Sequence, residues 1–312
     1  MHREKGAPVS GARLGAQLGV SRNYIWKLVE QLREEGVEIR SIPHRGYCLP
    51  VRRPNLFPFE IEEAARGTYF ISVLPSVGST NQVVKEMAEQ GAPERTVVFA
   101  EEQTAGRGRQ SRRFFSPKGR GLYFSVLLRP EKGMADALRI TAAAGVAVAR
   151  GVADVLGLDL QIKWVNDLFY QNKKVCGILS EGAVDLEGGG LAYCVLGIGL
   201  NVFEPSDGFQ DLRQIAGALL SGTPDGSLLA RLAAAVLDHF FALYQHLEQP
   251  ALLQEYRQRS FLQGKTITVR RGAEEFRCVV LGISDEGALQ TRLETGEERA
   301  FSSGEIKVED FR

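Results

Sequence analysis

Two short polar stretches contain the residue types needed for chemistry at an anion. Gly106-Arg107-Gly108-Arg109 alternates glycine with arginine, so its backbone can reach positive φ while two guanidinium groups supply charge. Lys163-Trp164-Val165-Asn166-Asp167 combines a cation, an indole, an amide and a carboxylate after an alternating apolar run. The first stretch predicts a loop that binds phosphate or carboxylate, although a solvated basic turn has the same composition. The second predicts polar groups at the end of a strand.

Further polar groups lie where predicted helices and strands begin or end. Ser79-Thr80-Asn81 caps a predicted helix and Gln103 follows a buried strand, so they offer neutral donors and acceptors for a ureido or amide group. Two cations, an amide and a carboxylate would suit a nucleotide triphosphate with its metal, namely Lys163, Lys174, Asn166 and Asp167. The sequence has neither a Walker loop nor a Rossmann fingerprint, so a nucleotide must be bound in another way.

Length and composition predict a soluble protein of two or three domains. The chain has 312 residues, a formal net charge of +0 and 44% hydrophobic residues, which excludes a protein that is basic throughout. No stretch reaches the ~20 apolar residues of a membrane span, and the start lacks the apolar core of a secretory signal. We therefore expect a cytoplasmic protein. The scattered cysteines predict neither a zinc site nor a disulfide framework.

Residues 1–53 predict a winged helix-turn-helix. Ser10 and Ser21 would cap two helices joined by a tight turn, and residues 37–49 would form two strands of a wing. The side chains expected to face DNA are Ser21, Arg22, Asn23, Tyr24, Lys27 and Arg45. A small helical packing module with a solvated charged face is the alternative. Only Met1 to Val9 precede the first cap, so we expect the first helix of such a domain to be missing.

The rest of the chain predicts two further domains, 54–262 and 263–312. The first is an α+β domain, with strands at 69–74, 96–100, 121–128, 175–181 and 192–201 and helices near 134–156, 211–220 and 227–247. After Gly264, short alternating segments separated by turn residues predict a small antiparallel barrel.

Six motifs, taken together and in this order, resemble the biotin protein ligases. They are Ser79-Thr80-Asn81, Gly106-Arg107-Gly108-Arg109, Phe114-Phe115-Ser116-Pro117, Lys163-Trp164-Val165-Asn166-Asp167, Lys174-Val175-Cys176-Gly177-Ile178-Leu179 and Gly197-Ile198-Gly199-Leu200-Asn201. The resemblance covers nearly the whole chain. The amino-terminal module and Ser303-Gly304-Glu305-Ile306 are similar to the bifunctional bacterial form, the biotin operon repressor. This resemblance implies a winged helix-turn-helix, a class II synthetase-like catalytic domain with a mixed sheet, and an SH3-like barrel.

The resemblance also implies a two-step reaction. Biotin and ATP form biotinoyl-AMP and pyrophosphate, and a lysine of a biotin carboxyl carrier protein then takes the acyl group. Mg²⁺ would accompany ATP, and no metal-ligating residue is assigned. Operator DNA and a second copy of the chain, in a homodimer that the adenylate could induce, are the other implied partners.

Roles for particular residues follow from the same resemblance. Biotin or its adenylate would contact Ser79, Thr80, Asn81, Gln103, Arg107, Gly108, Arg109 and Lys174. The nucleotide would contact Arg109, Arg112, Phe114, Asn166 and Asn201. The catalytic residues would be Lys174, Arg109 and Asp167. Lys174 would stabilise developing charge, whereas Asp167 would either orient or activate the incoming amine or simply pair with a cation or metal.

Two positions depart from the family pattern. Phe114 stands where a tryptophan that stacks on adenine is usual, and Val165 replaces a proline. Three alternatives remain: a ligase with a vestigial DNA-binding module, a regulator that binds biotin without transferring it, and a lipoate ligase. The Gly106–Arg109 loop and the Lys163–Asp167 segment favour biotin over lipoate. The intact Lys174 argues against a catalytically dead protein.

Overall fold

The computed structural model describes residues 6–34, 37–49, 55–131, 133–184, 191–209 and 215–309. The chain divides into two compact units, Met1–Asn55 with Pro224–Ser227, and Leu56–Thr223 with Leu228–Arg312. The domain boundary predicted between residues 53 and 54 lies outside the described residues.

The first unit contains the predicted helix-turn-helix. Its elements are α1 (Gly11–Leu18), α2 (Arg22–Glu34), β1 (Arg40–Ile42) and β2 (Gly46–Cys48). Ser10 Oγ accepts from the Arg13 amide at 3.2 Å, and Gly19 ends α1 with φ +67°. Ser21 Oγ caps α2 in the same way, at 3.2 Å from the Tyr24 amide. The helix-turn-helix is confirmed, and the strands of the wing are shorter than predicted.

The second unit is built on a seven-stranded mixed sheet. Its strands are β3 (Phe70–Leu74), β4 (Thr96–Ala100), β5 (Gly121–Leu128), β6 (Gln161–Lys163), β7 (Asp167–Tyr170), β8 (Lys173–Val184) and β9 (Leu191–Asn201), in the spatial order β3-β4-β5-β9-β8-β7-β6. The β3–β4 pair is parallel and the other pairs are antiparallel. The expected mixed-sheet α+β domain is thus confirmed.

Helices cover this sheet and fill the core. They are α3 (Pro58–Ala64), α4 (Thr80–Glu89), α5 (Ala137–Leu156), α6 (Gly226–Tyr244) and α7 (Pro250–Arg259). Gly151 brings α5 against α6, because a Cβ at this position would lie 2.8 Å from Val236 Cγ2. Among the described residues, α6 alone is long and apolar enough to cross a membrane. Its residues Leu232 and Leu237 are fully buried in the core, as in a core helix.

The carboxyl-terminal segment forms a five-stranded antiparallel sheet. Its strands are β10 (Thr266–Arg271), β11 (Glu274–Ile283), β12 (Leu289–Leu293), β13 (Glu298–Phe301) and β14 (Glu305–Val308), in the order β13-β12-β11-β10-β14. Within the part of the chain that the structure describes, β13 and β14 are the edges and do not pair, so no closed barrel is found.

Some elements differ from the sequence-based expectation. Part of the predicted helix at 211–220 lies outside the described residues, and residues 215–220 are not helical: Ala216 and Leu220 form bridges to Lys174 and Phe203. The elements α3, α7, β7 and β14 were not predicted. Both missed helices begin at a proline, Pro58 and Pro250, which is a favourable residue in the first helical turn.

Candidate active site

The Lys163–Asp167 stretch forms a hairpin turn rather than the end of a single strand. Lys163 pairs with Asp167 across β6 and β7. The Asn166 side chain donates from Nδ2 to the Ile178 carbonyl at 2.9 Å, and the Ile178 amide donates back to the Asn166 carbonyl at 2.9 Å. Trp164, which is buried, donates from Nε1 to the Gly287 carbonyl at 2.9 Å. The turn is therefore tied to β8 on one side and to the carboxyl-terminal sheet on the other.

Asp167 lies between two lysines. Its Oδ1 is 2.6 Å from Lys174 Nζ, an ion pair whose side chains are 21% and 28% exposed. Burial lowers the pKa of Lys163; the charge of Asp167 opposes this shift and the charge of Lys174 adds to it. Pairing with a cation, one of the two roles considered for Asp167, is thus what the structure shows. Its part in the chemistry remains a proposal.

The Gly106–Arg109 loop folds as a hairpin of its own. The Gly108 amide donates to the Arg112 carbonyl at 2.7 Å, and the Phe114 amide donates to the Gly106 carbonyl at 2.9 Å. The expected use of positive φ is wrong for these glycines: Gly108 has φ −112°, and Gln110 takes φ +53° instead. Gly106 is needed for close approach, because a Cβ there would lie 2.6 Å from the Phe114 carbonyl oxygen.

Two arginines of this loop contact other parts of the site. Arg109 donates from Nη1 to Asn166 Oδ1 at 3.3 Å, which places it beside the hairpin turn. Arg112 donates from Nη2 to Glu305 Oε2 at 2.7 Å, which holds the loop against the start of β14. Arg107 is exposed and lines the same cavity. Glu305 was noted in the sequence only as part of a motif, and its contact with the loop was not predicted.

Phe114 packs on two glycines of the central sheet. Gly177 and Gly199 face each other across β8 and β9. A Cβ on Gly199 would lie 2.5 Å from the Phe114 ring, and one on Gly177 would lie 3.2 Å from it. The glycines at 177 and 199 therefore let the aromatic ring of Phe114 lie directly against the sheet.

Neutral polar groups lie at the other end of the site. Ser79 precedes α4 as expected, but its side chain makes no capping hydrogen bond. The Thr80 amide donates to Gln103 Oε1 at 2.9 Å, and Gln103 Nε2 donates to Ser116 Oγ at 3.0 Å. Asn81 is only 5% exposed. This cluster can exchange hydrogen bonds with an uncharged polar ligand.

Asn201 presents an acceptor without a partner. Its Nδ2 donates to the Gly217 carbonyl at 3.0 Å. Its Oδ1 is buried and has no hydrogen-bond partner among the described residues. A buried acceptor of this kind favours a ligand that brings a donor, such as the amino group of a nucleobase.

All of the ligase residues predicted from the sequence line one cavity of about 320 Å³ in the second unit. They are Ser79, Thr80, Asn81, Gln103, Arg107, Gly108, Arg109, Arg112, Phe114, Asn166, Asp167, Lys174 and Asn201. Residues that were not predicted as site residues complete its walls, including Phe124, Phe209, Ile215 and Ala216. Ile215 and Ala216 lie within the segment that the sequence predicts as a helix, so their role in the cavity wall was not predicted. Within the described part of the chain, no group of three or more histidines, cysteines or carboxylates could hold a metal.

The predicted DNA-facing residues all belong to the first unit. Ser21 caps α2, while Arg45 lies in the turn between β1 and β2. All of the predicted residues, Ser21, Arg22, Asn23, Tyr24, Lys27 and Arg45, are exposed. The opposite face of α2 buries Ile25 and Val29. The exposed set includes three cations, as a nucleic-acid surface requires.

Fold and site together define a class: a mixed-sheet ligase whose cavity joins a neutral polar end to a cationic end, accompanied by a helix-turn-helix. Three protein-family models match the sequence and agree with this class. The biotin/lipoate A/B protein ligase family matches residues 73–201, an HTH domain matches residues 1–48, and the biotin protein ligase C terminal domain matches residues 263–308.

Similar proteins identify the family. The bifunctional ligase/repressor BirA of Bacillus spizizenii is 32% identical over 95% of this chain and 92% of its own length. The protein of the same name from Escherichia coli is 33% identical over 96% of this chain and 92% of its own length. The chain therefore belongs to the biotin protein ligase family. A biotin protein ligase from Aquifex aeolicus, solved in complex with biotin and ATP, has the same fold: the TM-score is 0.62 with 23% identity, over 76% of this chain and 97% of that chain.

Proposed function

We propose that this protein activates biotin with ATP as biotinoyl-AMP and transfers biotin to a lysine of a biotin carboxyl carrier protein. One observation carries the proposal: Thr80 and Gln103 line the same cavity of about 320 Å³ as Arg109 and Lys174. Neutral donors and acceptors suit the ureido ring of biotin, and the cations suit its carboxylate beside a phosphate.

The first step joins two anions, which is the electrostatic problem the site must solve. A carboxylate oxygen of biotin attacks the α-phosphorus of ATP, the bond to the bridging oxygen breaks, and pyrophosphate leaves. Arg107, Arg109 and Lys174 would neutralise the two anions and the charge that develops on the phosphorus. The hairpin loop that holds Arg109 lines the cavity, and its closure over a bound adenylate would exclude water from the labile anhydride.

The second step moves the acyl group to nitrogen. The uncharged ε-amine of the carrier lysine attacks the acyl carbon, the bond to the AMP oxygen breaks, and AMP leaves. Asp167 is our candidate for orienting the amine and accepting its proton. To act as a base, it must give up part of its ion pair with Lys174, and the phosphate of the adenylate offers Lys174 another partner.

The nucleotide would occupy the side of the cavity lined by Asn166 and Asn201. Asn201 Oδ1 would accept from the adenine amino group, and Phe114 would contact the base with its ring. The described residues of the site include no cluster of carboxylates, and Asp167 is paired with Lys174, so Mg²⁺ would enter bound to the phosphates of ATP.

We further propose that the protein represses transcription in response to biotin. The exposed Arg22, Lys27 and Arg45 of the first unit would contact operator DNA, with Ser21, Asn23 and Tyr24 beside them. A homodimer induced by the adenylate would bring two such units to one operator. This assignment implies a cytoplasmic protein with domains at 1–53, 54–262 and 263–312, the last an SH3-like barrel.

The adenylation step can be tested by isotope exchange. The purified protein should exchange pyrophosphate into ATP only when biotin is present. Lipoate serves as the control acid, and we expect no exchange with it. Exchange that depends on lipoate rather than biotin would contradict the proposal.

A further inference from the structure

A second layer of polar side chains lies behind the neutral end of the cavity. Glu181, on β8, accepts from Asn81 Nδ2 at 2.6 Å and from Lys85 Nζ at 2.8 Å. Its side chain is 26% exposed and that of Lys85 is 27% exposed. Neither residue lines the cavity, and Asn81, which does, is the hydrogen-bonded link between Glu181 and a ligand.

Glu181 fixes the orientation of the Asn81 amide. Burial raises the pKa of Glu181, but hydrogen bonds from Asn81 and Lys85 outweigh this and lower the pKa below its ordinary value. The group is therefore a carboxylate at neutral pH, and a carboxylate only accepts hydrogen bonds. Asn81 must present Nδ2 to Glu181 and Oδ1 to the opposite side. Gly197 leaves room for this arrangement, because a Cβ there would overlap Asn81 Oδ1.

Ser125 links the orientation of the Asn81 amide to the Thr80 hydroxyl. It is fully buried, and its Oγ lies 2.6 Å from Asn81 Oδ1 and 2.7 Å from Thr80 Oγ1. A hydroxyl has one proton, and Asn81 Oδ1 has none to offer. Ser125 must therefore donate to Asn81, and the contact between the two hydroxyls must use the proton of Thr80.

Thr80 is left as an acceptor toward the cavity. Its hydroxyl also lies 3.2 Å from Gln103 Oε1, but that contact would need the same proton, and the shorter contact with Ser125 takes it. Gln103 Oε1 instead receives the Thr80 amide at 2.9 Å. The free lone pair of Thr80 Oγ1 thus meets whatever ligand group enters this end of the cavity.

We propose that Glu181 is a positioning residue for ligand recognition: through Asn81 and Ser125 it holds the Thr80 hydroxyl as an acceptor, which selects a ligand that presents an N–H donor. This inference rests on the proposed function, in which a ureido N–H of biotin meets Thr80. It adds Glu181 and Ser125 to the residues that determine specificity.

The test compares two ligands and two variants. The ligands are biotin and a cyclic carbonate analogue, in which ring oxygens replace both ureido N–H groups. In Glu181→Gln the new amide can donate as well as accept, so Asn81 can turn over and Thr80 can point its proton into the cavity. We expect this variant to bind biotin roughly tenfold more weakly, while binding of the analogue is unchanged or tighter. Glu86→Gln makes the same chemical change at an exposed position of α4 and should alter neither affinity.

The outcomes separate the possible roles. An equal loss of affinity for both ligands would mean that Glu181 only supports packing, and would overturn the inference, as would unchanged biotin binding. If Glu181→Gln does not fold, Ser125→Ala removes the same relay without adding volume. It must lower the ratio of biotin to analogue affinity, and an unchanged ratio would overturn the inference. Failure of the wild-type protein to bind biotin would contradict the proposed function itself, and this inference with it.

Discussion

Lys174 is the residue on which the proposed adenylation depends most directly. It lies at the cationic end of the cavity with Arg109, and its ion pair with Asp167 holds the ammonium group in place. A positioned cation stabilises a phosphorane more strongly in a water-poor site than in bulk water, because the effective dielectric is lower. Its removal should therefore affect the chemical step more than biotin binding.

We expect Lys174→Ala to slow formation of biotinoyl-AMP roughly 100-fold or more. The rate is measured as biotin-dependent release of pyrophosphate under saturating substrates. Lys307→Ala removes an exposed lysine of β14 and provides the matched control, with an unchanged rate. Pyrophosphate release by Lys174→Ala at the wild-type rate would remove Lys174 from the mechanism.

At the level of single residues, the sequence predicts which side chains meet but not how each is held. Residue type was enough to predict that Arg109, Asn166 and Lys174 belong to one site. Cations and amides at the ends of apolar strands are costly to bury unless they have polar partners or a ligand. The role of Gly106 could not be predicted, because it depends on the carbonyl of Phe114 across the loop. A signal for Ser125 was present: it is a small polar residue between the aromatic and aliphatic residues of β5.

The helix α5 contains a matched pair of glycines with opposite expected effects. A Cβ on Gly151 would lie 2.8 Å from Val236 Cγ2 and 3.1 Å from the Val236 amide nitrogen. A Cβ on Gly145 would make only ordinary contacts, the nearest at 3.5 Å from Ile162 Cδ1. Substitution by alanine should therefore add strain at Gly151, whereas at Gly145 it should lower the entropy cost of folding the backbone.

We expect Gly151→Ala to lower the free energy of unfolding by about 1–3 kcal/mol, because α6 must shift to admit the methyl group. Gly145→Ala should raise it by about 0.5–1 kcal/mol, the helix propensity gain of alanine over glycine. Urea denaturation of both variants measures these differences. A gain of stability in Gly151→Ala would show that α5 and α6 are not in close contact there.

Helix α7 is attached to α5 through charges that should respond to pH. Glu255 on α7 accepts from Arg150 of α5 and from Arg259 one turn along its own helix. Burial raises the pKa of Glu255, but the hydrogen bonds and charges of Arg150 and Arg259 outweigh burial, so the net pKa lies below the ordinary 4.5. A lowered pKa means that the folded state favours the carboxylate, which stabilises the fold above pH 4.5 and not below the folded-state pKa.

We therefore expect Glu255→Gln to destabilise the protein at pH 7 by about 1–3 kcal/mol. The difference from wild type should shrink as the pH falls from 4.5 through the folded-state pKa and then vanish. Unfolding free energies measured across this pH range provide the test. Asp159→Asn, which removes an 86% exposed partner of Arg259, should cost less than about 0.5 kcal/mol at any pH. A constant difference across the range would refute the charge-based explanation.

At the level of elements, the long regular segments could be predicted and the irregular ones could not. β4, β5 and α5 could be predicted because each is a sustained run of apolar residues, which is the strongest sequence signal for a buried element. α7 was missed because its sequence is mainly polar, and only Leu252, Leu253 and Tyr256 are buried. Residues 215–220 have a helical pattern in the sequence. In the structure, Ala216 instead forms a bridge to Lys174 and contributes to the cavity wall.

Across the whole molecule, positive and negative charges cancel, so any basic surface must come from a local group of cations. The formal net charge is +0, so any attraction to DNA must come from the exposed cations of the helix-turn-helix. Phosphate contacts release counterions, so the logarithm of the affinity should fall linearly with the logarithm of salt concentration. The slope of this line is proportional to the number of phosphate contacts that the first unit makes.

We expect Arg22→Ala, Lys27→Ala and Arg45→Ala each to reduce that slope by about 1 for DNA from upstream of biotin genes. Fluorescence anisotropy at several salt concentrations measures the slope. Arg271→Ala, an exposed arginine of the carboxyl-terminal sheet, is the control and should leave the slope unchanged. Absent or salt-insensitive binding by the wild-type protein would leave a ligase without a repressor function.

Ligation itself is tested most directly by transfer of biotin to a carrier domain in the presence of ATP and magnesium. The full chain should place biotin on the acceptor lysine of a biotin carboxyl carrier domain, and a carrier with arginine in place of that lysine should remain unmodified. Lipoate should not be transferred. Tight biotin binding without any transfer by the wild-type protein, or preferential transfer of lipoate, would contradict the account.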